Sequence, residues 1–255
     1  MKYVKTYESW VREGIRRRED SYEFDWMTDL PEDLMSLKFK KYSGRKQKIE
    51  DTVYTYYYAY QLDKSDGSTD LMKAIKTFET SVSAKDIQMF VNKAVMGFDS
   101  TFGTSNFNAI VAPQSSSLVL KDLAEQLEKK SGVAELFSEA FVKSASTEIK
   151  LDNEKVDKLP EKTKKEVFRA FKKVTDPEKP FKIKEIYSAH RKFFRDFILF
   201  NNEKDRRLFN AVEGQKVVLI DDYKTSGTTI KEMLRQLADA GAAEVVVFVL
   251  IKLGE

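Results

Sequence analysis

The chain has 255 residues, with 44 Lys and Arg against 41 Asp and Glu, and a formal net charge of +3. That length suits one large domain with a sizeable core, and the near-balanced charge does not by itself call for nucleic acid. The absence of cysteine and the presence of one histidine exclude disulfides, thiolate nucleophiles, cysteine zinc sites and multi-histidine metal centres.

The first hundred residues carry no common signature. Trp10 to Trp26 is charged and aromatic, and Arg16-Arg17-Arg18 is its densest positive cluster. Met1 to Tyr7 lacks the apolar core of a signal peptide, and no apolar stretch approaches a membrane span, so a cytoplasmic protein is expected. Asp51 to Tyr60 reads as a strand with aromatics on both faces. Asp66-Gly67 marks a turn, and Leu71, Met72, Ile75 and Phe78 mark a helix. Residues 1–104 are therefore read as an N-terminal α+β extension or hood before a core at 105–255.

That core begins with Asn108 to Pro113, a short buried strand ending in a sharp turn. Gln114-Ser115-Ser116-Ser117 follows, and then a helix carries Leu118, Leu120, Leu123, Ala124 and Leu127 to a stop at Gly132. Three serines at a helix start serve either as plain N-caps or as an anion site. Residues 133–190 are the least strand-like part and are expected to form a helical insert. Within it, Lys164, Lys165, Arg169, Lys172 and Lys173 lie on a helix whose apolar side is Val167, Phe168 and Phe171, before Asp176-Pro177 breaks the chain. A solvated basic face is the default reading of those cations. Ile186, His190, Phe193, Phe194 and Phe197 fall on one helical face, so His190 reads as a hydrogen-bonded histidine on packed surface. Phe197 to Phe200 suggests a further short strand.

The densest signal is Val217-Val218-Leu219-Ile220-Asp221-Asp222-Tyr223-Lys224-Thr225-Ser226-Gly227-Thr228-Thr229. Four apolar residues read as a strand buried on both faces of a parallel sheet. Two carboxylates stand at its carboxyl end, where open α/β sheets bind ligands. A loop of small hydroxylated residues around Gly227 lets backbone approach an anion. The helix that follows carries Ile230, Met233, Leu234, Leu237 and Ala238 on one face, and its start attracts phosphate. Asp221 and Asp222 would repel a bare phosphate, so they suit sugar hydroxyls or act as outer ligands of Mg²⁺ on a diphosphate. Ala243 to Ile251 supplies another strand. Right-handed crossovers assemble these pieces into a twisted, mainly parallel sheet with helices on both faces.

Residues 217–229 resemble the signature of the type I phosphoribosyltransferases: four apolar residues, two acidic residues, two usually apolar residues and a Thr/Ser-Thr/Ser-Gly-x-Thr/Ser loop. Lys224 stands where that family prefers an aliphatic residue. The resemblance implies that Asp221 and Asp222 bind the ribose hydroxyls of phosphoribosyl pyrophosphate and that Thr225, Ser226, Gly227, Thr228 and Thr229 cradle its 5′-phosphate. By the same resemblance Gln114, Ser115, Ser116 and Ser117 look like the loop that holds pyrophosphate, and the insert occupies the place of a mobile loop or hood. Mg²⁺ is the implied cofactor, held by Asp221 and Asp222, directly or through water.

The implied reaction, in nucleotide metabolism, transfers phosphoribose to a nucleobase-like acceptor with release of pyrophosphate. Thr225 stands where the hypoxanthine-guanine branch carries an acidic residue, which is nearer the orotate, adenine and competence-factor-like patterns. The Lys-x-His-Gly loop of the orotate enzymes is missing. The chain ends four residues after Ile251, so acceptor recognition is expected from the N-terminal region and its tyrosines. Two other readings stay open. One is a non-catalytic regulatory protein that binds phosphoribosyl pyrophosphate or nucleotide and engages nucleic acid through Arg16 to Arg18 and the helix near Lys164. The other is a phosphosugar hydrolase on the same scaffold. A homodimer is compatible with all of these.

Overall fold

Alternating apolar residues build two cores back to back across one sheet. Val217 and Leu219 belong to one cluster, and Val218 and Ile220 belong to the other, as the period of two along a strand requires. A computed structural model describes residues 15–18, 21–24, 42–49, 52–62, 84–102, 107–131, 134–175, 183–187, 189–201, 206–224 and 227–253.

Its main sheet contains β3 (Tyr42–Ile49), β4 (Thr52–Leu62), β5 (Ala109–Pro113), β6 (Glu135–Lys143), β9 (Ile198–Phe200), β10 (Lys216–Lys224) and β11 (Glu244–Leu253) in the order β3-β4-β11-β10-β5-β6-β9. The five inner strands pair in parallel, and the outer two, β3 and β9, pair antiparallel. Two small ribbons stand apart. One joins β1 (Ile15–Arg18) to β2 (Ser21–Phe24), and the other joins β7 (Lys150–Leu151) to β8 (Phe194–Arg195).

The helices divide between the two faces. On one side, α1 (Ala84–Phe102) and α2 (Leu118–Ser131) contribute Val91, Val95, Phe98, Leu120, Leu123 and Leu127 to the core with Val218, Ile220, Val246 and Phe248. On the other, α5 (Arg206–Val212) and α6 (Thr228–Asp239) pack Leu208, Val212, Ile230, Met233 and Leu237 on Val217, Leu219, Val245 and Val247. The short α3 (Asn153–Asp157) and the basic α4 (Glu161–Val174) join this second core through Val156, Val167 and Val174. No described helix is long and apolar enough to cross a membrane.

Several expectations change. β4 pairs with β11 from Val53 to Leu62, and Thr52 Oγ1 donates to Ala242 O at 2.6 Å. Phe98 of α1 stacks 5.0 Å from Phe248 of β11. The expected division at 104/105 therefore runs through one sheet and one core.

The expected helical insert at 133–190 opens instead with strand β6. Its pairing with β5 shifts register between Val111 and Pro113, where Phe137 and Phe141 are the partners. That bulge interrupts the alternation by which a strand is read from sequence.

The helix expected around His190 is replaced by two single 3₁₀ turns, Ile183–Glu185 and Arg191–Phe193, and by β8. Ile186, Phe193, Phe194 and Phe197 are nevertheless all buried in the second core. β9 returns from the insert and runs antiparallel to β6. Leu118 and Phe168, both expected in the core, are exposed. Val119 takes the position beside Leu120, and Val167 fills the core beneath α4. The turn at Asp66-Gly67, the helix expected at Leu71 to Phe78, Gly132 and the break at Asp176-Pro177 lie outside the described residues.

Candidate functional site

β10 carries the two carboxylates to the carboxyl edge of the sheet. Asp221 pairs with Val249 of β11. Asp221 is half-buried and Asp222 is buried. Each carboxylate turns back on the next amide: Asp222 N donates to Asp221 Oδ1 at 2.9 Å, and Tyr223 N donates to Asp222 Oδ1 at 2.7 Å. These bonds hold each carboxylate against the backbone at the end of β10.

Gly227 begins the return. Its φ of 71° and ψ of 13° place it in the left-handed region, where glycine alone carries no Cβ penalty. Lys231 N donates to Gly227 O at 2.9 Å and closes the first turn of α6. The leading amides of a helix have no acceptor within it, and Gly227 at the N-cap has no side chain to cap them. Because α6 must run back to reach the parallel β11, its start lies at the edge where β10 ends. Gly227 is buried, and Thr228 and Thr229 are half-buried. Thr225 and Ser226 lie outside the described residues.

The second loop starts on the neighbouring strand. β5 pairs with β10 through Ala109–Val217, Ile110–Val218 and Val111–Leu219, and continuing that register brings Pro113 level with Asp221. Gln114 N donates to Phe141 O of β6 at 2.7 Å, which anchors the loop. Gln114 and Ser116 are exposed, Ser115 is half-buried, and Ser117 is buried. Ser117 N donates to Ser115 Oγ at 3.1 Å, and Lys121 N donates to Ser117 O at 3.3 Å, so Ser117 leads into α2. Its Oγ is buried without a hydrogen-bond partner among the described residues.

These two loops separate for a topological reason. From β5 the chain crosses over α2 to β6 on one side, and from β10 it crosses over α6 to β11 on the other. Right-handed crossovers in opposite directions must lie on opposite faces, as α2 and α6 do. Their starts diverge and leave a crevice between the carboxyl ends of β5 and β10. Such a switch point is where open α/β sheets bind ligands. The structure thus brings Gln114 to Ser117, Asp221, Asp222 and Gly227 to Thr229 to one edge of the sheet.

Sequence reasoning did not single out Lys252. It pairs with Gln61 of β4 and lies opposite Lys224 of β10, so it stands at the same edge. It is 6% exposed, and its Nζ lies 5.3 Å from the centre of the Tyr58 ring. The sequence signal was a lysine closing the apolar run of β11. Further back along β4, where Tyr57 pairs with Phe248, burial raises the Tyr57 hydroxyl pKa, with the Glu244 carboxylate adding to the shift.

Among the described residues no group of three or more His, Asp or Glu side chains gathers into a metal cage. Asp221 and Asp222 are hard oxygen donors of the kind that share Mg²⁺ with substrate phosphates. Their pairing fits a metal carried in with a diphosphate.

His190 has its contacts within the insert, with Nε2 3.7 Å from Glu166 Oε2 and its ring 5.3 Å from Tyr187. Arg195 is committed to Asp152, which its Nη2 meets at 2.8 Å, and Lys164 sits 3.6 Å from both Asp157 and Glu161.

Residues 98–255 match the family model of the phosphoribosyl transferase domain. Over 43 residues the chain is 49% identical to the transcriptional regulator GfcR of Methanobrevibacter smithii, a stretch that is 17% of this chain and 21% of that protein. The solved structure of an allosteric regulatory enzyme of purine biosynthesis aligns with a TM-score of 0.33 at 16% identity, over 64% of this chain and 25% of that one. The chain thus spans about a fifth to a quarter of the length of these two proteins.

Proposed function

The chain belongs to the phosphoribosyl transferase family, and we propose that it is a Mg²⁺-dependent enzyme that moves phosphoribose from phosphoribosyl pyrophosphate to a nucleobase-like acceptor. The observation that carries this reading is the switch point between β5 and β10, where two successive carboxylates end one strand and two helix starts diverge.

Each part has a distinct task in this reading. Asp221 and Asp222 accept hydrogen bonds from the ribose hydroxyls. Thr225 to Thr229 and the leading amides of α6 hold the 5′-phosphate. Gln114 to Ser117 and the start of α2 hold the pyrophosphate, with the buried Ser117 hydroxyl available as a donor. Asp221 and Asp222 would hold Mg²⁺ together with the diphosphate, and the bound ion would supply neutralisation of the leaving group's charge. The bond from the anomeric carbon to the pyrophosphate oxygen breaks, and its electron pair leaves with pyrophosphate. The ring oxygen shares the positive charge that develops, and an acceptor nitrogen attacks the anomeric carbon and loses its proton. Both aspartates lie beside the sugar, where negative charge favours that cationic transition state. The protein otherwise contributes position.

The acceptor is expected near the carboxyl end of β4. That strand ends at the same edge, beside Lys252, and belongs to the N-terminal region from which acceptor recognition is expected.

A screen of bases and nucleosides for pyrophosphate release tests the reading. A positive base should lose at least about a hundredfold in rate in an Asp221→Asn/Asp222→Asn variant, with the thermal unfolding midpoint nearly unchanged. Calorimetry that detects no binding of phosphoribosyl pyrophosphate with Mg²⁺ to the folded protein would sink it. The similarity to a transcriptional regulator favours a second reading, in which the same site binds ligand without chemistry. Binding without pyrophosphate release for any base would select that reading.

A further inference from the structure

The outer surface of α4 carries more positive charge than the fold uses. With 3.6 residues per turn, Lys162, Lys165, Arg169, Lys172 and Lys173 fall together on the side opposite the buried Val167 and Val174. All five are exposed, and none forms an ion pair with another described residue. They extend over about 16 Å of helix, a length that meets several successive phosphates of a nucleic-acid strand. The acidic residues of the helix lie at the ends and margins. Glu161 is engaged by Lys164 at 3.6 Å, and Glu166 faces His190 at 3.7 Å.

Charge alone fits a solvated face, but the margins of this stripe are aromatic. Phe168 borders it on one side and is 42% exposed. On the other side, His190 beside Glu166 holds Tyr187 edge to face at 5.3 Å, and Tyr187 is 69% exposed. These are two of the four large apolar side chains exposed among the described residues. Both lie beside a helix whose outer face is lined with cations. An acidic protein surface matches the cations, but protein interfaces bury their rings in an apolar centre and not at the margins of a charged stripe. An unpaired nucleic-acid strand uses both, because phosphates follow the charge and unstacked bases find π-faces. A duplex keeps its bases stacked and leaves the rings unused.

We propose that the outer face of α4, with Phe168 and Tyr187 at its margins, binds single-stranded nucleic acid. This inference does not depend on the transfer reaction and uses none of the residues at the sheet edge. Fluorescence anisotropy with a labelled mixed-sequence single strand, and with the same strand annealed to its complement, tests it on the unaltered protein. The single strand should bind more tightly than the duplex, and polyglutamate should compete poorly. Lys165→Ala/Arg169→Ala/Lys172→Ala should weaken single-strand binding at least about tenfold and lower the slope of log affinity on log salt by about 2. Phe168→Ala/Tyr187→Ala should weaken single-strand binding at least about fivefold and leave the salt slope unchanged. Equal affinity for duplex and single strand, or equal competition by polyglutamate, overturns the proposal without reference to any variant. Unchanged single-strand affinity in either folded variant overturns it as well.

Discussion

At Gly227 the chain turns from the end of β10 into α6 with a backbone that L side chains avoid. A Gly227→Ala substitution should therefore cost about 1–2 kcal/mol in unfolding free energy. It should also weaken binding of phosphoribosyl pyrophosphate by more than the same loss of stability made in the core, since the turn sets where the leading amides of α6 stand. Denaturant unfolding and calorimetry on one preparation separate the two effects.

Asp152 makes a different kind of residue-scale prediction. Burial works to raise its pKa, but bonds from Lys155 and Arg195 outweigh burial and hold the carboxyl below its ordinary value. Lys155 Nζ lies 2.7 Å away, and Arg195 Nε donates to Asp152 Oδ2 at 2.9 Å. A carboxyl whose folded pKa is depressed stabilises the fold fully above its unfolded pKa, and the contribution fades as pH falls through the folded one. The stability gap between the native protein and an Asp152→Asn variant should thus be constant at neutral pH. It should shrink below pH 3.8, the ordinary value.

At the scale of elements, the link between α6 and the insert stands out. Arg235 of α6 meets Glu232 at 2.8 Å, Asp196 at 2.6 Å and also Asp239. Asp196 N donates to Glu232 Oε1 at 2.7 Å, and Lys150 of β7 reaches Asp196 Oδ2 at 2.9 Å. Neighbouring carboxylates raise the Arg235 pKa against the effect of burial. Asp196 also has a φ of 59°, unusual for a residue with a side chain and tolerated by Asp better than by most. The helix that opens on the proposed phosphate site is thereby clasped to the chain between β7 and β9. An Arg235→Ala variant leaves the 6%-exposed Glu232 carboxylate without its guanidinium partner. It should lose about 2–4 kcal/mol of stability by chemical denaturation, near the lower part of the range for broken buried pairs because Arg235 keeps some solvent contact. Asp196→Asn, which keeps the tolerance for positive φ, should cost less.

At the scale of the molecule, five parallel strands buried on both faces present one ligand edge, and whatever binds there stabilises the whole sheet. Phosphoribosyl pyrophosphate with Mg²⁺, at a hundred times its dissociation constant, should add about 2.7 kcal/mol to the unfolding free energy. Differential scanning calorimetry should show the unfolding midpoint rising with ligand concentration, and the Asp221→Asn/Asp222→Asn variant should lose that rise.

The local parts of this arrangement were legible in the sequence because their signals are contiguous. Val217 to Ile220 and Val245 to Ile251 are apolar runs that only a strand covered on both faces can bury. The one-face pattern of Ile230, Met233, Leu234 and Leu237 marked α6, and the Asp221-Asp222 pair with Gly227 marked the turn between strand and helix. Other features depended on contacts between distant residues. β6 carries a bulge that hides its period. Around His190 short turns and a strand bury residues whose spacing suggested a helix, and β4 belongs to the central sheet because it pairs with a strand nearly two hundred residues away. Sequence alone thus determined the strand, carboxylate and loop chemistry of one motif, since neighbouring residues set backbone conformation and side-chain character. Only the tertiary structure decided that β5 and β10 lie side by side with their crossovers on opposite faces. That adjacency, which no local pattern encodes, opens the crevice between the two loops and places Lys252 at the same edge.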